Sequence, residues 1–381
     1  MIKVFMLVLL SWPFGGGADT AVHEAYSKEI EPVAGEVINH VVSTHFEKSF
    51  SFAAAGDVLI HDHLYEDVAT ESGYDFISRV DEVAPYLQNQ DLVFLNQETP
   101  IGGEELRLSG YPAFNAPLET ADLLEYLNAD IVSLANNHTL DRSTRGVEKT
   151  TEILQEKGIE YVGANASAED AARERVVEVN GVTVGFLAYT YGTNGIPVPQ
   201  GQDYLVNFID MPTIVSDMEA LRDEVDLLVV SMHQGVEYAP YPREDHVVQF
   251  EQIAEAGADI ILGHHPHVLQ PVDIYEREDG GETVIAYSLA NFFSAQQDLD
   301  TKLGGIIEFD INHRAGGGGT TVEDVRFMPT YVHSNEYTDF ELVPLADAAA
   351  YGLEDADAVY SDVQTHMTSY TDELEVVEYL D

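Results

Sequence analysis

From residue 49 onward the chain predicts an α/β fold. Three observations lead there. Short apolar runs rich in Val, Ile and Phe recur along the sequence, longer stretches of helical periodicity separate them, and most runs end in a small polar cluster. Apolar residues make up 45% of the 381-residue chain, enough to bury a sizeable core.

The elements follow in order. Met1-Ile2-Lys3 leads into an apolar run, Val4–Phe14, broken by Ser11 and Pro13, and then into Gly15-Gly16-Gly17-Ala18. A lone positive charge, a short apolar core and small residues predict a secretory signal-like segment over residues 1–25. The run is too short for a comfortable transmembrane helix. The expected location is therefore extracellular or the outer face of the cytoplasmic membrane. Residues 26–48 read as a linker or a short amphipathic helix marked by Ile30, Val33, Val37, Ile38 and Val41. Strands are expected at Phe50–Ala55, Leu92–Leu95, Ile131–Leu134, Val182–Tyr189, Leu227–Ser231, Ile260–Leu262, Val284–Leu289 and Ile306–Ile311. Helices are expected near 76–89, 119–128, 146–157, 212–224 and 244–257. The run Gly316–Gly319 has no following Lys-Ser/Thr and opens no helix, so it reads as a hairpin connection between Ile306–Ile311 and Val322–Phe327. Residues 49–330 form the expected main domain. Residues 331–381 are expected to be an acidic C-terminal extension, with 345–381 a peripheral helix or a partly disordered tail.

Seventeen Lys and Arg stand against 68 Asp and Glu, a formal net charge of −51. That excludes nucleic acid as a partner, since phosphate binding needs a basic face, and it excludes electrostatic attraction to anionic lipid. The acid is spread along the whole chain, which favours an adaptation to high salt over a local cation-binding patch. The thermal midpoint is therefore expected to fall as NaCl is removed; a midpoint indifferent to salt would contradict this. The chain has no cysteine, so disulfides, thiolate nucleophiles and Cys-type zinc sites are excluded.

The chemistry collects at the strand ends. Gly56-Asp57, with His61 four residues on, follows the first run. Asn96-Gln97-Glu98 follows the second, and Asn136-Asn137-His138, then Asp141, follow the third. His233 and Glu237 come after Leu227–Ser231, Gly263-His264-His265-Pro266-His267 after Ile260–Leu262, and Asn291 after Val284–Leu289. Open α/β sheets bind ligands at the carboxyl ends of their strands, so six such ends converge on one place. Imidazoles, carboxylates and an amide without thiolate suit divalent Mn, Fe or Zn. Two such ions about 3.5–4 Å apart can polarise a phosphoryl oxygen, with a nearby His for the leaving group.

The same segments, with Tyr287-Ser288-Leu289-Ala290-Asn291-Phe292 and Thr193-Asn194-Gly195-Ile196-Pro197, resemble the ordered motifs of the CapA family of poly-γ-glutamate capsule biosynthesis proteins, within the metallophosphatase superfamily. The resemblance covers roughly residues 49–330. It implies a layered α/β/β/α sandwich with mixed sheets and one or two divalent metal ions. It also implies Asp57, His61, Glu98, Asn137, His233, His265 and His267 as metal ligands, with His264 an out-of-register alternative to His265. His138 would be the general acid, and Asp141 would either orient it or cap the following helix. Glu237, Asn291 and Arg243 are the candidate substrate-binding residues.

The expected partners are a polyanionic capsule polymer or a phosphoester substrate, and membrane-bound polyglutamate synthetase components. Two functions are consistent with this: hydrolysis of a phosphoester or polymer amide bond, or a non-catalytic polymer-binding accessory role. The sequence departs from the family in several places. Glu98 stands for the bridging Asp, and His61 lies further from Asp57 than usual. Gln234 stands where Trp is common, and Ser143 and Ala290 where Gly is common.

Overall fold

The computed structural model describes residues 47–314 and 319–381. The expected signal-like segment and nearly all of the linker lie outside these residues. The strands are β1 (Glu47–Leu59), β2 (Ala69–Thr70), β3 (Gly73–Tyr74), β4 (Leu92–Gln97), β5 (Ile131–Ser133) and β6 (Glu160–Val162), then β7 (Val176–Val179), β8 (Val182–Thr190), β9 (Leu227–His233) and β10 (Ile260–His264). They continue as β11 (Leu269–Glu276), β12 (Glu282–Leu289), β13 (Asn291–Ser294), β14 (Leu303–Arg314), β15 (Gly319–Asn335), β16 (Thr338–Pro344) and β17 (Glu375–Val376). The longer helices are α1 (Ser143–Lys157), α2 (Met211–Arg222), α3 (Glu244–Glu255) and α4 (Ala356–Met367).

Two mixed sheets result. The first runs β16-β15-β14-β1-β4-β5-β6, with β13 joined to β1 and β17 to β15. The second runs β11-β12-β10-β9-β8-β7. Strands β1, β4, β5 and β6 are parallel, as are β8, β9, β10 and β12. Antiparallel strands close the remaining edges.

Side chains alternate across each strand, and this sets the layers. Phe52, Phe94 and Phe309 of the first sheet meet Phe186, Val229 and Leu262 of the second in one buried cluster. Phe94 stacks on Phe186 with ring centroids 5.8 Å apart. On its other face the first sheet buries Ala53, Val93 and Val132 against Leu123, Val147 and Leu154. The second sheet buries Leu228, Val230 and Ile261 against Ile214, Met218 and Phe250 of α2 and α3. The chain is therefore an α/β/β/α sandwich, the architecture the resemblance implied.

Several expectations differ in detail. The helix expected at 76–89 is a 3-10 turn, Ile77–Arg79, followed by a short helix, Ala84–Gln88. Pro85 sits at its start, where a missing N–H costs nothing, so the helix begins there instead of running through. Strand β11 was not expected, because Pro271 and Asp273 interrupt its apolar pattern; it is an edge strand, where proline is tolerated. Strands β14 and β15 pair antiparallel, as a hairpin requires. The boundary expected at 330 falls inside β15, and of the two alternatives for 345–381 it is the helix that forms, as α4. Strand β16 pairs with β15, β17 adds to the same sheet, and Val363, Met367, Leu374 and Val376 enter the core between the sheets.

Candidate metal centre

Parallel strands from both sheets end at one place. Asp57 pairs in register with Asn96, and His233 with His264. The β1 ladder shifts by a residue at Asp57, so the strand kinks as it delivers the carboxylate. Two glycines allow the close approach of the neighbouring loop. A Cβ on Gly56 would lie 2.0 Å from the Ala290 carbonyl oxygen, and one on Gly263 would lie 2.0 Å from that of Tyr287. His265, His267 and Ala290 hold positive φ angles of 98°, 59° and 58°, so the chain turns sharply at each of these positions.

Asp57 and Glu98 are both fully buried. No lysine or arginine reaches either carboxylate among the described residues. Asp57 Oδ1 accepts a hydrogen bond from Asn96 Nδ2 at 2.8 Å and lies 3.4 Å from His264 Nδ1; Asp57 Oδ2 lies 3.1 Å from His267 Nδ1. Both oxygens of Glu98 lack any hydrogen-bond partner, while Glu98 Oε1 stands 3.6 Å from His233 Nε2 and 4.0 Å from His267 Nε2. A buried carboxylate without partners costs several kcal/mol, roughly, unless something positive compensates it. Two buried groups have the spacing to ligate a cation: Asp57, Glu98 and His267, and Glu98, His233 and His265. Glu98 belongs to both, so one carboxylate is shared by the two groups. Glu237, His265 and His267 form a third group, whose glutamate is exposed. The residues thus fit a divalent cation with nitrogen and oxygen ligands.

The electrostatics follow from burial. Burial raises Asp57, but His264 and His267 outweigh it and hold the carboxyl well below its usual range. Burial, reinforced by Asp57, pushes Glu98 well above the carboxylate range. Burial would lower His267, yet Glu98 and Asp57 hold it up at about 9. Burial pushes His265 down to about 3 and His233 well below the usual imidazole value. At pH 7, His267 therefore holds a proton that a cation must displace, while burial and Asp57 make Glu98 harder to ionise than a free carboxyl. Cation uptake is expected to release protons, and the apparent affinity is expected to rise with pH toward about 9. Calorimetric titration in buffers of different ionisation enthalpy reads this directly; uptake with no proton release would contradict it.

The remaining candidates are placed as follows. Asn137 Oδ1 lies 2.9 Å from His233 Nε2, beside the shared group. His138 Nδ1 lies 2.7 Å from Asp141 Oδ2, which also accepts from the Phe114 N–H at 2.7 Å. Asp141 thus faces the imidazole, and no side chain caps α1. His264 is turned toward Phe94 between the sheets, outside the three groups. His61 is also outside them. Its Nδ1 faces the Leu59 carbonyl at 3.0 Å, its ring packs edge-on against Phe114, and burial lowers it to about 4. Asn291 is wholly buried with Oδ1 3.0 Å from His267 Nδ1, so it steadies that imidazole and offers no surface to a substrate. Arg243 is exposed and pairs with Asp245 in the first turn of α3, which draws its guanidinium toward the helix and not the centre.

Three contributors were not singled out from the sequence. Asn96 orients Asp57. Phe114 packs 4.6 Å from the His138 ring. Asn194 reaches both Asn137 and His138, at 3.3 and 3.4 Å. Only Asn96 and Asn194 carried a signal, as members of the quoted motifs.

The sequence model of the family described as Bacterial capsule synthesis protein PGA_cap matches residues 51–296. The chain belongs to this family. Two relatives of this PGA_cap chain are the Capsule biosynthesis protein CapA of Bacillus anthracis and the PGA biosynthesis protein CapA of Bacillus subtilis (strain 168). The first is 30% identical over 288 residues, covering 73% of this chain and 67% of that one. The second is 27% identical over 288 residues, covering 74% and 73%. A probable polyglutamine synthesis accessory protein of Mycobacterium tuberculosis (strain ATCC 25618 / H37Rv) is 28% identical over 199 residues, covering 49% and 52%. Among solved structures, a 5'-nucleotidase precursor from Thermus thermophilus superposes with a TM-score of 0.48 at 16% identity. That match covers 83% of this PGA_cap chain and 58% of the nucleotidase. The calcineurin-like phosphoesterase YfkN from Bacillus subtilis gives a TM-score of 0.42 at 16% identity, covering 74% and 90%.

Proposed function

We propose that this chain acts in capsule-polymer biosynthesis, outside the cell or on the outer face of the cytoplasmic membrane, and that its buried centre binds one or two divalent cations to hydrolyse a phosphoester. The observation that carries the reaction is the His138–Asp141 pair, set one residue from Asn137, whose Oδ1 meets the candidate ligand His233 at 2.9 Å. The capsule and polyglutamine synthesis relatives support the process, with polyglutamate synthetase components as partners at the membrane.

Hydrolysis joins a water oxygen to phosphorus, breaks the bond from phosphorus to the alcohol oxygen, and delivers a proton to that oxygen. Asp141 holds His138 Nδ1, which leaves Nε2 to donate that proton, and the carboxylate stabilises the imidazolium. Asn194 and Phe114 fix the ring from two sides. Asp57, Glu98, His233, His265 and His267, with Asn137 beside them, would hold a divalent cation, which would supply Lewis acidity for the phosphoryl group.

The test is a metal analysis paired with turnover of bis(4-nitrophenyl) phosphate and of polyglutamate chains at high salt, with Mn, Fe(II) or Zn supplied. Cation-dependent phosphoester turnover is the expected outcome. A fully loaded protein that turns over no phosphoester overturns the hydrolase reading and leaves a cation-binding accessory factor.

A further inference from the structure

Beside the centre lies a cavity of about 230 Å³ whose walls differ sharply from the polar ligands. Pro240, Val268, Leu269, Leu299, Leu303 and Val363 supply apolar surface. The cavity opens between the loop after β9, the segment before β14, and helix α4. Tyr238 joins it to the centre: its side chain lines the cavity, and its ring lies 6.2 Å from that of His267. Val268 follows the ligand His267 directly, and the backbone turns at Tyr238 with a positive φ of 64°. The apolar character continues outward. Tyr241 and Tyr370 stack 6.3 Å apart, and Tyr241 packs edge-on against His366, which also lines the cavity. Tyr238, Tyr241, Tyr370 and Leu299 are all exposed, so a chain of only 17 basic and 68 acidic residues gathers an apolar patch here. The polar groups on the rim include Asp300 and Asp362. They repel an anionic polymer and leave an uncharged apolar group undisturbed.

We propose that this cavity receives an apolar alkyl substituent that stays on the phosphoester whose phosphoryl group sits at the metal centre, so that the substrate class is an alkyl phosphodiester and not the anionic polymer chain. The inference rests on the hydrolase reading for its reaction, and on the cavity for its specificity. The volume holds on the order of eight water-sized groups, close to a medium alkyl chain. Tyr238 stands where the ester oxygen would pass from His267 into the cavity, and its ring offers a flat apolar wall to the first carbons.

The test compares 4-nitrophenyl octyl phosphate with 4-nitrophenyl methyl phosphate on the cation-loaded protein. Two buried methylenes alone give about a tenfold preference, so kcat/KM for the octyl ester is expected to exceed that for the methyl ester at least about tenfold. In Leu299→Asp, and separately in Val359→Asp, a change at a half-buried lining residue on α4, that ratio is expected to fall below about threefold. Leu299 is exposed, so its variant has no core to disrupt. Equal kcat/KM values in the wild type, or a ratio preserved in both variants, overturn the proposal. Calorimetric binding of octylphosphonate and methylphosphonate to the loaded His138→Ala protein needs no turnover. If neither ester reacts, the hydrolase reading fails by itself. The cavity is then judged by whether octylphosphonate binds at least about tenfold more tightly, with equal binding overturning it.

Discussion

His138→Ala is expected to lower turnover of an unactivated dialkyl phosphoester by about 10²–10⁴-fold while the cation content stays at the wild-type level. The imidazole belongs to none of the three groups with ligand spacing, and its Nδ1 is taken up by Asp141. Removing it should therefore cost the leaving-group proton and not the cation. Glu98→Gln gives the opposite pattern. Both buried ligand groups lose a member, so cation affinity should fall by more than the roughly 10–100-fold typical of losing an outer partner. The same change has a second sign to check. Burial and Asp57 raise the Glu98 carboxyl, so ionising it works against the folded state as pH rises. Chelator-treated Glu98→Gln should accordingly melt higher than chelator-treated wild type at pH 7. Metal analysis, kcat and thermal melting on the two variants separate the roles, and full activity in His138→Ala would remove its assignment as the acid.

Gly56→Ala is expected to destabilise the domain by about 3 kcal/mol or more and to abolish cation binding in whatever fraction remains folded. The added methyl would meet the Ala290 carbonyl oxygen at 2.0 Å, with the Leu289 oxygen at 2.7 Å. Both obstacles are backbone, so no rotamer change relieves them. The loop can only move away, and it carries Asn291, which steadies His267, while Asp57 N–H donates to the same Ala290 oxygen at 2.8 Å. A urea midpoint at the wild-type value would contradict this account.

The sequence made the centre legible because the sheet imposes a rule on it. Asp57, Glu98, Asn137, His233, His265 and His267 each follow an apolar run that becomes a parallel strand, and parallel strands send their carboxyl ends the same way. What stayed hidden depends on contacts across the two sheets. The resemblance implied His61 as a ligand, yet its Nδ1 turns back on the Leu59 carbonyl. Asn291 looked substrate-facing until its full burial behind His267 was visible. Phe114 carries no motif at all; only the fold brings it to His138. Ser143 and Ala290, which stand where relatives of the family commonly have glycine, both keep positive φ, 52° and 58°. Both positions thus hold a left-handed backbone without the glycine that such a conformation favours. The helix within 345–381 was legible, but its packing was not, because acidic residues mask the few apolar ones that enter the core, Val363, Met367, Leu374 and Val376.

The central position of β1 also governs how the chain reaches its native state. Its neighbours are β4, from nearby in sequence, and β14, from the far side of the domain, with Phe50 opposite Ile311. Strand β15, in turn, is completed by β17, which lies close to the last residue, Asp381. A growing polypeptide therefore cannot assemble this sheet progressively from its start. Strand β1 must wait, unpaired on the edge that β14 will take, until Leu303–Arg314 has been made. Contacts so distant in sequence slow folding and prolong the exposure of a β edge that is open to aggregation. Truncation before residue 363 should accordingly leave a chain that is synthesised but never consolidates.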